Sequence, residues 1–541
     1  MLTPTTQSST QRVLLGSLIV LALMFTIGCG SSHPHFAPTP TPAPVATTLT
    51  QIRVGDAPAD QVLAFNITLV SPMTALMSNG TKFDVPLGSN RIELSHMAAK
   101  AEPMFTLNLP QGTYTGAQIT IADPAVTYIY SGWMREIVAK DFPGTQTVAL
   151  TFDPPLVLSA TSGVLCLDMN LGKAMIFSEE DSHELIDVKF TPEVFSFTNH
   201  VIGASTAQQH EDGELEGVTG LVVAVNGSTF QIKPGQSGSD LTVNVTSTTV
   251  YDGSVTKLDD VKNRIVSVEG YTDTNNAFIA TEVEGFESAA GAAVEGLIID
   301  TGESRDNWFD MVPYGVHHIT EMKLLGQDAT GANAKVDDLG WTFTVHTNYL
   351  PDDRFVVELG KVDMAGLAST IPGPEFPFDS AHIFAGQRVE VETSSAAPGA
   401  DFATFTATQV RLQQQPVTGE IVYYYEPNIE TIIEPNDQGP WFILKLPSDS
   451  YLYLLTGQRY IKVYQRPGTD LELLPVDNSV SSTEGTPALH EGDTVLVRGL
   501  LFEGSSRRDL GATSTEVFWY KQYLSMIARR IVQQETASIP F

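Results

Sequence analysis

Histidines and carboxylates occur in short clusters along the chain, and their spacing decides what chemistry they can do. His183-Glu184-Leu185-Ile186-Asp187 and His210-Glu211-Asp212-Gly213-Glu214 both begin as a zinc-protease His-Glu-x-x-His motif begins. Neither supplies the second histidine that would put two imidazoles on one helical face. His317-His318 beside Glu321 is a weaker metal candidate, and a solvated surface outweighs it. Glu179-Glu180-Asp181 with His183-Glu184, and His210-Glu211-Asp212 with Glu214 and Glu216, offer oxygens to a hard cation. The Asp-x-Asx-x-Asx-Gly loop that calcium favours is absent, so these read as acidic surface. No Gly-x-Ser-x-Gly nucleophile turn occurs, and Gly235-Gln236-Ser237-Gly238-Ser239 reads as a hairpin loop. Walker A and Gly-x-Gly-x-x-Gly phosphate loops are missing too. The expectation is no catalytic residue, no metal ligand and no cofactor. Two rivals stay open: a hydrolase with dispersed carboxylates, and a divalent-cation-binding surface protein.

Aromatics are the better binding candidates. Tyr128-Ile129-Tyr130-Ser131-Gly132-Trp133, Tyr423-Tyr424-Tyr425 and Trp519-Tyr520-Lys521-Gln522-Tyr523 interrupt aliphatic strands. Alternate residues of a strand share a face. Tyr128 with Tyr130 and Trp133, or Tyr423 with Tyr425, could therefore form a stacking platform for glycan or protein. Core or inter-domain packing is the commoner fate of such rings.

The chain opens with Arg12 and an uncharged run, Val13 to Cys29, too short for a comfortable membrane span of about 20 residues. Polar start, apolar middle and small residue at the end have the layout of a secretory signal. Thr26-Ile27-Gly28-Cys29 resembles the lipobox of bacterial lipoproteins, with Thr26 where leucine is usual. The resemblance implies cleavage before Cys29 and lipid on its thiol and amine. It thus implies attachment to a membrane of the bacterial cell envelope, at the outer membrane, in the periplasm or at the cell surface. An uncleaved anchor and an ordinary signal peptide are the alternatives. The stretch from Gly30 to Pro44 alternates proline and reads as an extended spacer, with His33 and His35 solvated. Cys166 lies in an alternating strand and reads as a small core residue.

The body reads as all-β: short alternating or apolar runs bounded by Gly, Pro, Asn and Asp. Two stretches also suit a helix, Ile92 to Ala101 and Trp519 to Arg530, the second fitting a strand as well. Residues 48–200 carry an early Asp56-Ala57-Pro58-Ala59, a central Leu109-Pro110-Gln111-Gly112-Thr113-Tyr114 and a late Leu165-Cys166-Leu167-Asp168-Met169. This order resembles a bacterial lipoprotein domain family of unknown function and implies a transthyretin-like β-sandwich.

The rest of the chain repeats. Val218-Thr219-Gly220 recurs as Val294-Glu295-Gly296 and Val417-Thr418-Gly419. Arg264-Ile265-Val266-Ser267-Val268 recurs as Gln387-Arg388-Val389-Glu390-Val391 and Asp493-Thr494-Val495-Leu496-Val497. Each copy closes on a further strand, containing Ile279, Thr408 or Ile527. The spacing is irregular, so these are not solenoid repeats but three small β-barrel-like domains, at 216–287, 293–413 and 416–533. The first copy, with its Ser247-Thr248-Thr249 run, resembles a second bacterial family of unknown function whose short barrels occur in tandem. The full layout is a signal peptide at 1–28, a tether at 29–47, the sandwich, then three barrels.

Sixty-three acidic against 30 basic residues give a net charge of −33. Nucleic acid is a poor partner for such a body, because neutralising phosphates takes clustered Lys and Arg. Anionic lipid surfaces repel it as well, leaving the lipid on Cys29 as the means of attachment. The sequence thus points to a lipid-anchored envelope protein that binds or scaffolds glycan or protein without catalysing a reaction.

Overall fold

Alternating apolar residues make nearly every element of this chain a strand. The computed structural model describes residues 46–534 apart from a set of segments, the longest being 201–213, 318–342, 358–375, 394–403, 426–438 and 505–523. The protein is all-β, with only two short helices among the described residues, Leu171–Ala174 and Tyr451–Thr456.

The strands up to His200 form two main sheets. One orders Phe195–His200, Val164–Asn170, Thr47–Ala57 and Glu102–Pro110. The other is built on the long strands Val62–Met77 and Gly112–Tyr130. Leu109, Leu167 and Met169 from the first sheet and Phe65, Ile67, Ile119 and Tyr128 from the second share one core, which makes the unit a sandwich. The Leu-Pro-Gln-Gly-Thr-Tyr run is the tight turn that starts the second long strand. Tyr114 is buried there, and its hydroxyl donates to the Pro110 carbonyl at 2.7 Å. Burial raises the Tyr114 pKa to about 12, so the hydroxyl keeps its proton for that bond.

Three five-stranded groups follow. The first is Glu214–Asn226, Thr229–Pro234, Leu241–Gly253, Ile265–Thr272 and Phe278–Gly285. In the second, Ala292–Asp300, Trp308–His317, Phe343–His346, Arg388–Thr393 and Thr404–Leu412 take the same places. In the third they are Gln415–Tyr425, Trp441–Lys445, Tyr460–Tyr464, Thr494–Phe502 and Leu524–Gln534. In every group strand one pairs antiparallel with two and four, two with three, and four with five. Strand three then pairs parallel with strand five and closes the ring.

The recurrent sequence markers acquire a physical meaning in these rings. The glycine of Val-x-Gly sits where strand two crosses strand one. A Cβ on Gly220, Gly296 or Gly419 would meet the backbone carbonyl of Lys233, Val312 or Lys445. A bulge follows in each first strand, at Val222/Ala224, Ile298/Asp300 and Ile421/Tyr423. Each second strand puts a fully buried phenylalanine into its barrel: Phe230, Phe309 and Phe442.

Strand three is interrupted at the same place in all copies. In the first barrel a threonine-rich bulge intervenes, and Thr249 Oγ1 donates to the Ala280 carbonyl at 2.7 Å. In the second and third barrels, inserted residues separate the closing strand from a continuation, Phe355–Val357 or Asp470–Leu474, that pairs parallel further along strand five.

Of the two stretches that also suit a helix, the described part of the first is the end of the strand Asn90–Glu93 and one 3-10 turn, Ser95–Met97. The Glu93 carboxylate accepts from the Ser95 and His96 amides and ties that turn down. In the second, the described part belongs to the strand Leu524–Gln534. Met526 and Ala528 face the third barrel's interior while Ile527 packs on the second barrel's core. Burial on both faces erases the alternation that marks an exposed strand.

The domains lock together through buried charge and apolar contacts. Arg411 of the second barrel forms a two-pronged ion pair with Glu284 of the first, both contacts 2.9 Å, and lies over the Phe286 ring. One apolar cluster joins the second barrel's interior to Trp441, Ile443, Tyr464, Leu500 and Phe502 on the third barrel's outer face. Leu63, Ala64 and Ile129 of the sandwich pack on Leu297 and Val312. Tyr314 donates to the Leu63 carbonyl at 2.7 Å, and Arg498 to the His96 carbonyl at 3.3 Å.

Two consequences can be measured by urea unfolding. Tyr114→Phe is expected to cost about 1–2 kcal/mol, the worth of one buried hydrogen bond, with the m-value unchanged. Arg411→Ala is expected to cost about 3–5 kcal/mol, because it leaves Glu390, almost fully buried, and Glu284 without their guanidinium.

Candidate binding face

Each barrel presents an outer face on its strands two and three. The three copies can be compared there position by position, because registers and bulges coincide. In the first barrel the positions hold Ala224, Thr229, Gln231, Thr242 and Asn244. In the second they hold Asp300, Trp308, Asp310, Thr344 and His346. In the third they hold Tyr423, Trp441, Ile443, Lys462 and Tyr464.

The first barrel's face is small and polar, and Asn244 is engaged with the Phe278 carbonyl at 3.0 Å. The third barrel's face is filled by the chain itself. Tyr423 and Tyr425 stand over Trp441 at 5.5 and 4.9 Å between ring centres. The Lys462 ammonium lies 4.2 Å from the Trp441 ring and 4.8 Å from the Tyr464 ring. Phe376 from the second barrel closes over Tyr464 and Phe502.

The second barrel's face is different. Phe309, Met311, Phe343 and Val345 turn into the core, so by alternation Trp308, Asp310, Thr344 and His346 turn outward, where each is half-buried. Trp308 stands opposite His346, and Asp310 is flanked by Thr344 and Asp300. Thr344 donates to Asp310 Oδ1 at 2.6 Å. Burial, with Asp300 adding, raises the Asp310 pKa; the Thr344 hydroxyl and His346 pull against it. Like charges directly across a strand pair are unfavourable, and this pair is maintained without a lysine or arginine at any of the five positions. Three residues past His346, Tyr349 is 73% exposed and holds φ at +60°, next to Asn348 at +48°. A bulky side chain in the left-handed region is strained, a feature that gathers at functional sites.

A second concavity lies where the sandwich meets the second and third barrels. Its free space is about 30 Å³, and His96, Tyr314, Arg388, Gln415, Thr418 and Tyr451 are among its walls. That suits about two water molecules rather than a metabolite. Glu93 holds His96 Nδ1 at 2.6 Å, and the imidazole stacks on Tyr314. Burial, reinforced by Glu93 and Tyr451, drives the Tyr314 pKa far above its ordinary value, which keeps its proton on the bond to Leu63. These groups hold domains together.

The residues singled out from the sequence divide accordingly. Tyr128 is fully buried in the sandwich core, so neither face of its ring can stack on a ligand, and its place in a platform is corrected. Tyr130 and Trp133 pair across a hairpin, and their side chains lie outside the described residues. Tyr423 and Tyr425 do share one face, but it is the one packed against Trp441 and the second barrel's core. Cys29, the tether up to Val45, His210, Ser237, His318, Glu321 and Trp519–Tyr523 lie outside the described residues, as do the side chains of Cys166, His183 and Glu184, and Thr47 at the tether's end begins the first strand. Among the described residues, no group of three or more His, Cys, Asp or Glu is arranged to hold a metal, and no helix is long and apolar enough to cross a membrane. Trp308, Asp310 and His346 escaped sequence reasoning. Their signal was the Trp-Phe pair that opens strand two in both later copies, Trp308-Phe309 and Trp441-Phe442.

Residues 219–284 match a domain of unknown function (DUF5666). The match runs from strand one to strand five of the first barrel, in keeping with that copy's resemblance to an uncharacterised family. No curated protein matches the chain.

A carboxyl with a raised pKa binds protons on folding between its ordinary and raised values, so its stabilising contribution declines as pH rises through that window. Asp310→Asn should therefore gain stability relative to the parent as pH climbs from about 4 to 7. Paired urea unfolding curves across that range check the sign.

Proposed function

We propose that this is a lipid-anchored protein of the bacterial envelope whose four β-domains form a non-catalytic binding module, and that its ligand is engaged by the second barrel. One observation carries the reading. Of three equivalent faces, one is small and polar and one is filled by the chain itself, while the second barrel offers a half-exposed tryptophan beside two aspartates and a histidine. A ring flanked by fixed polar groups suits glycan or peptide.

The lipobox-like run before Cys29 and the proline-rich spacer support the anchor. The charge of −33 argues against nucleic acid, even though barrels of this kind often bind it. The basic side chains Arg388, Arg411, Arg498, Arg529 and Arg530 are nearly all buried, which leaves still less positive charge for phosphate.

A hydrolase reading has one observation in its favour: Asp310, with its raised pKa, faces Asp300 across the strand pair, and general acid catalysis uses carboxylates whose environments differ. Turnover of a glycan or peptide substrate that disappears in Asp310→Asn would install that reading instead.

The anchor is tested by labelling cells with a radioactive or clickable fatty acid. The parent is expected to take up label and fractionate with membranes. Cys29→Ser should remain unlabelled at its precursor size. Equal labelling of the two would overturn the anchor.

A further inference from the structure

We propose that the outer face of the second barrel captures a primary ammonium group, specifically a lysine side chain of a partner polypeptide. This rests on the reading of that face as the ligand site and names what it takes.

The template lies within the same chain. At the equivalent face of the third barrel, the Lys462 ammonium sits over Trp441 and Tyr464, the residue is 5% exposed, and Phe376 packs edge-on against Tyr464. A cation held over aromatic rings and shielded from water is a favourable arrangement. The second barrel keeps the tryptophan at the same register position, Trp308 for Trp441. It lacks the lysine: the position of Lys462 is Thr344, too short to reach the ring, with its hydroxyl turned to Asp310. Where the third barrel has apolar Ile443 and aromatic Tyr423, the second has Asp310 and Asp300.

One copy thus supplies its own cation and sets it against two aromatic rings. The other supplies a ring and two carboxylates, with His346 but no lysine or arginine at these positions. An incoming ammonium satisfies both halves: its charge lies on the ring face, and its N–H groups donate to Asp300 and Asp310 in charge-assisted hydrogen bonds. It also relieves the repulsion between the two aspartates. Lysine fits better than arginine, because the occupant of the template is a compact ammonium on a flexible stem. The net charge of −33 draws cationic partners toward the body from a distance. Exposed Asp352 and Asp353 in the next turn add to the local field.

The test uses the whole mature chain and a capped pentapeptide with one central lysine, followed by intrinsic fluorescence and by two-dimensional NMR of tryptophan indoles. Binding of the peptide, its loss when the lysine Nε is acetylated, and weakening with added salt are the expected results. Trp308→Ala and Asp310→Asn should each weaken binding about tenfold or more. Thr344→Lys is the second arm. It installs the third barrel's own lysine, so it should close the face to the peptide while the other indole signals stay in place to report an intact fold.

Equal binding of the acetylated peptide would overturn the proposal. So would undiminished binding in Thr344→Lys, or capture of glucosamine with no response to the lysine peptide. If a glycan binds in a Trp308-dependent way while the lysine peptide does not, the face is a ligand site and the ammonium assignment is wrong. If neither binds in a Trp308-dependent way, the face itself is misassigned.

Discussion

The parallel pairing of strand three with strand five underlies the architecture. Four antiparallel ladders alone would leave an open sheet with two bare edges, and bare edges recruit other strands. The ladders Val243–Val245 to Phe278–Ala280, Thr344–His346 to Thr404–Thr406 and Ile461–Tyr464 to Leu524–Ile527 remove both edges at once. Closure also fixes the curvature of strands two and three, and with it the outward aim of alternate residues. The continuation of strand three is secured differently in each copy: by Thr249 in the first, by apolar Phe355 in the second, and by Asp470 and Glu472 against Arg529 and Arg530 in the third.

Several of the chain's few basic residues stand where domains or strands meet. Arg411 bridges two barrels, Arg498 reaches the sandwich, and Arg388 pairs with Glu295 at 3.2 Å beside the junction cleft. Removing such cations from the surface sharpens the acidity the solvent sees. Acidic exterior and unlike second and third barrels combine into one arrangement, in which the position that holds Lys462 in one copy holds Thr344 in the other.

Much of the fold was legible. Alternation and turn residues marked the strands, and the Val-x-Gly markers are where backbone crowding at the strand crossing permits only glycine. The Leu-Pro-x-Gly-x-Tyr run is held by a tyrosine hydroxyl four residues from its acceptor, a local interaction and hence a readable one. Less legible was any strand buried on both faces. Leu524–Gln534 lost its alternation because another barrel covers its outside, and no local pattern records that cover. The candidate site was hardest. Trp308, Asp310, Thr344 and His346 are 38 residues apart at their extremes, and strand pairing alone brings them to one patch.

Composition, periodicity and repeated markers by themselves determined an all-β chain, an acidic body and three related copies, because each of these depends on residue type and on neighbours a few positions away. Tertiary structure decided which aromatic faces are open. Tyr423 and Tyr425 look as available in the sequence as any tyrosine pair, and Trp308 draws no notice there. Part of the difference comes from Phe376, which packs over Tyr464 and Phe502 of the third barrel, whereas among the described residues the Trp308 ring is met by Gly302 of its own hairpin. Such long-range cover is a property of chain packing, and no stretch of residues carries it alone.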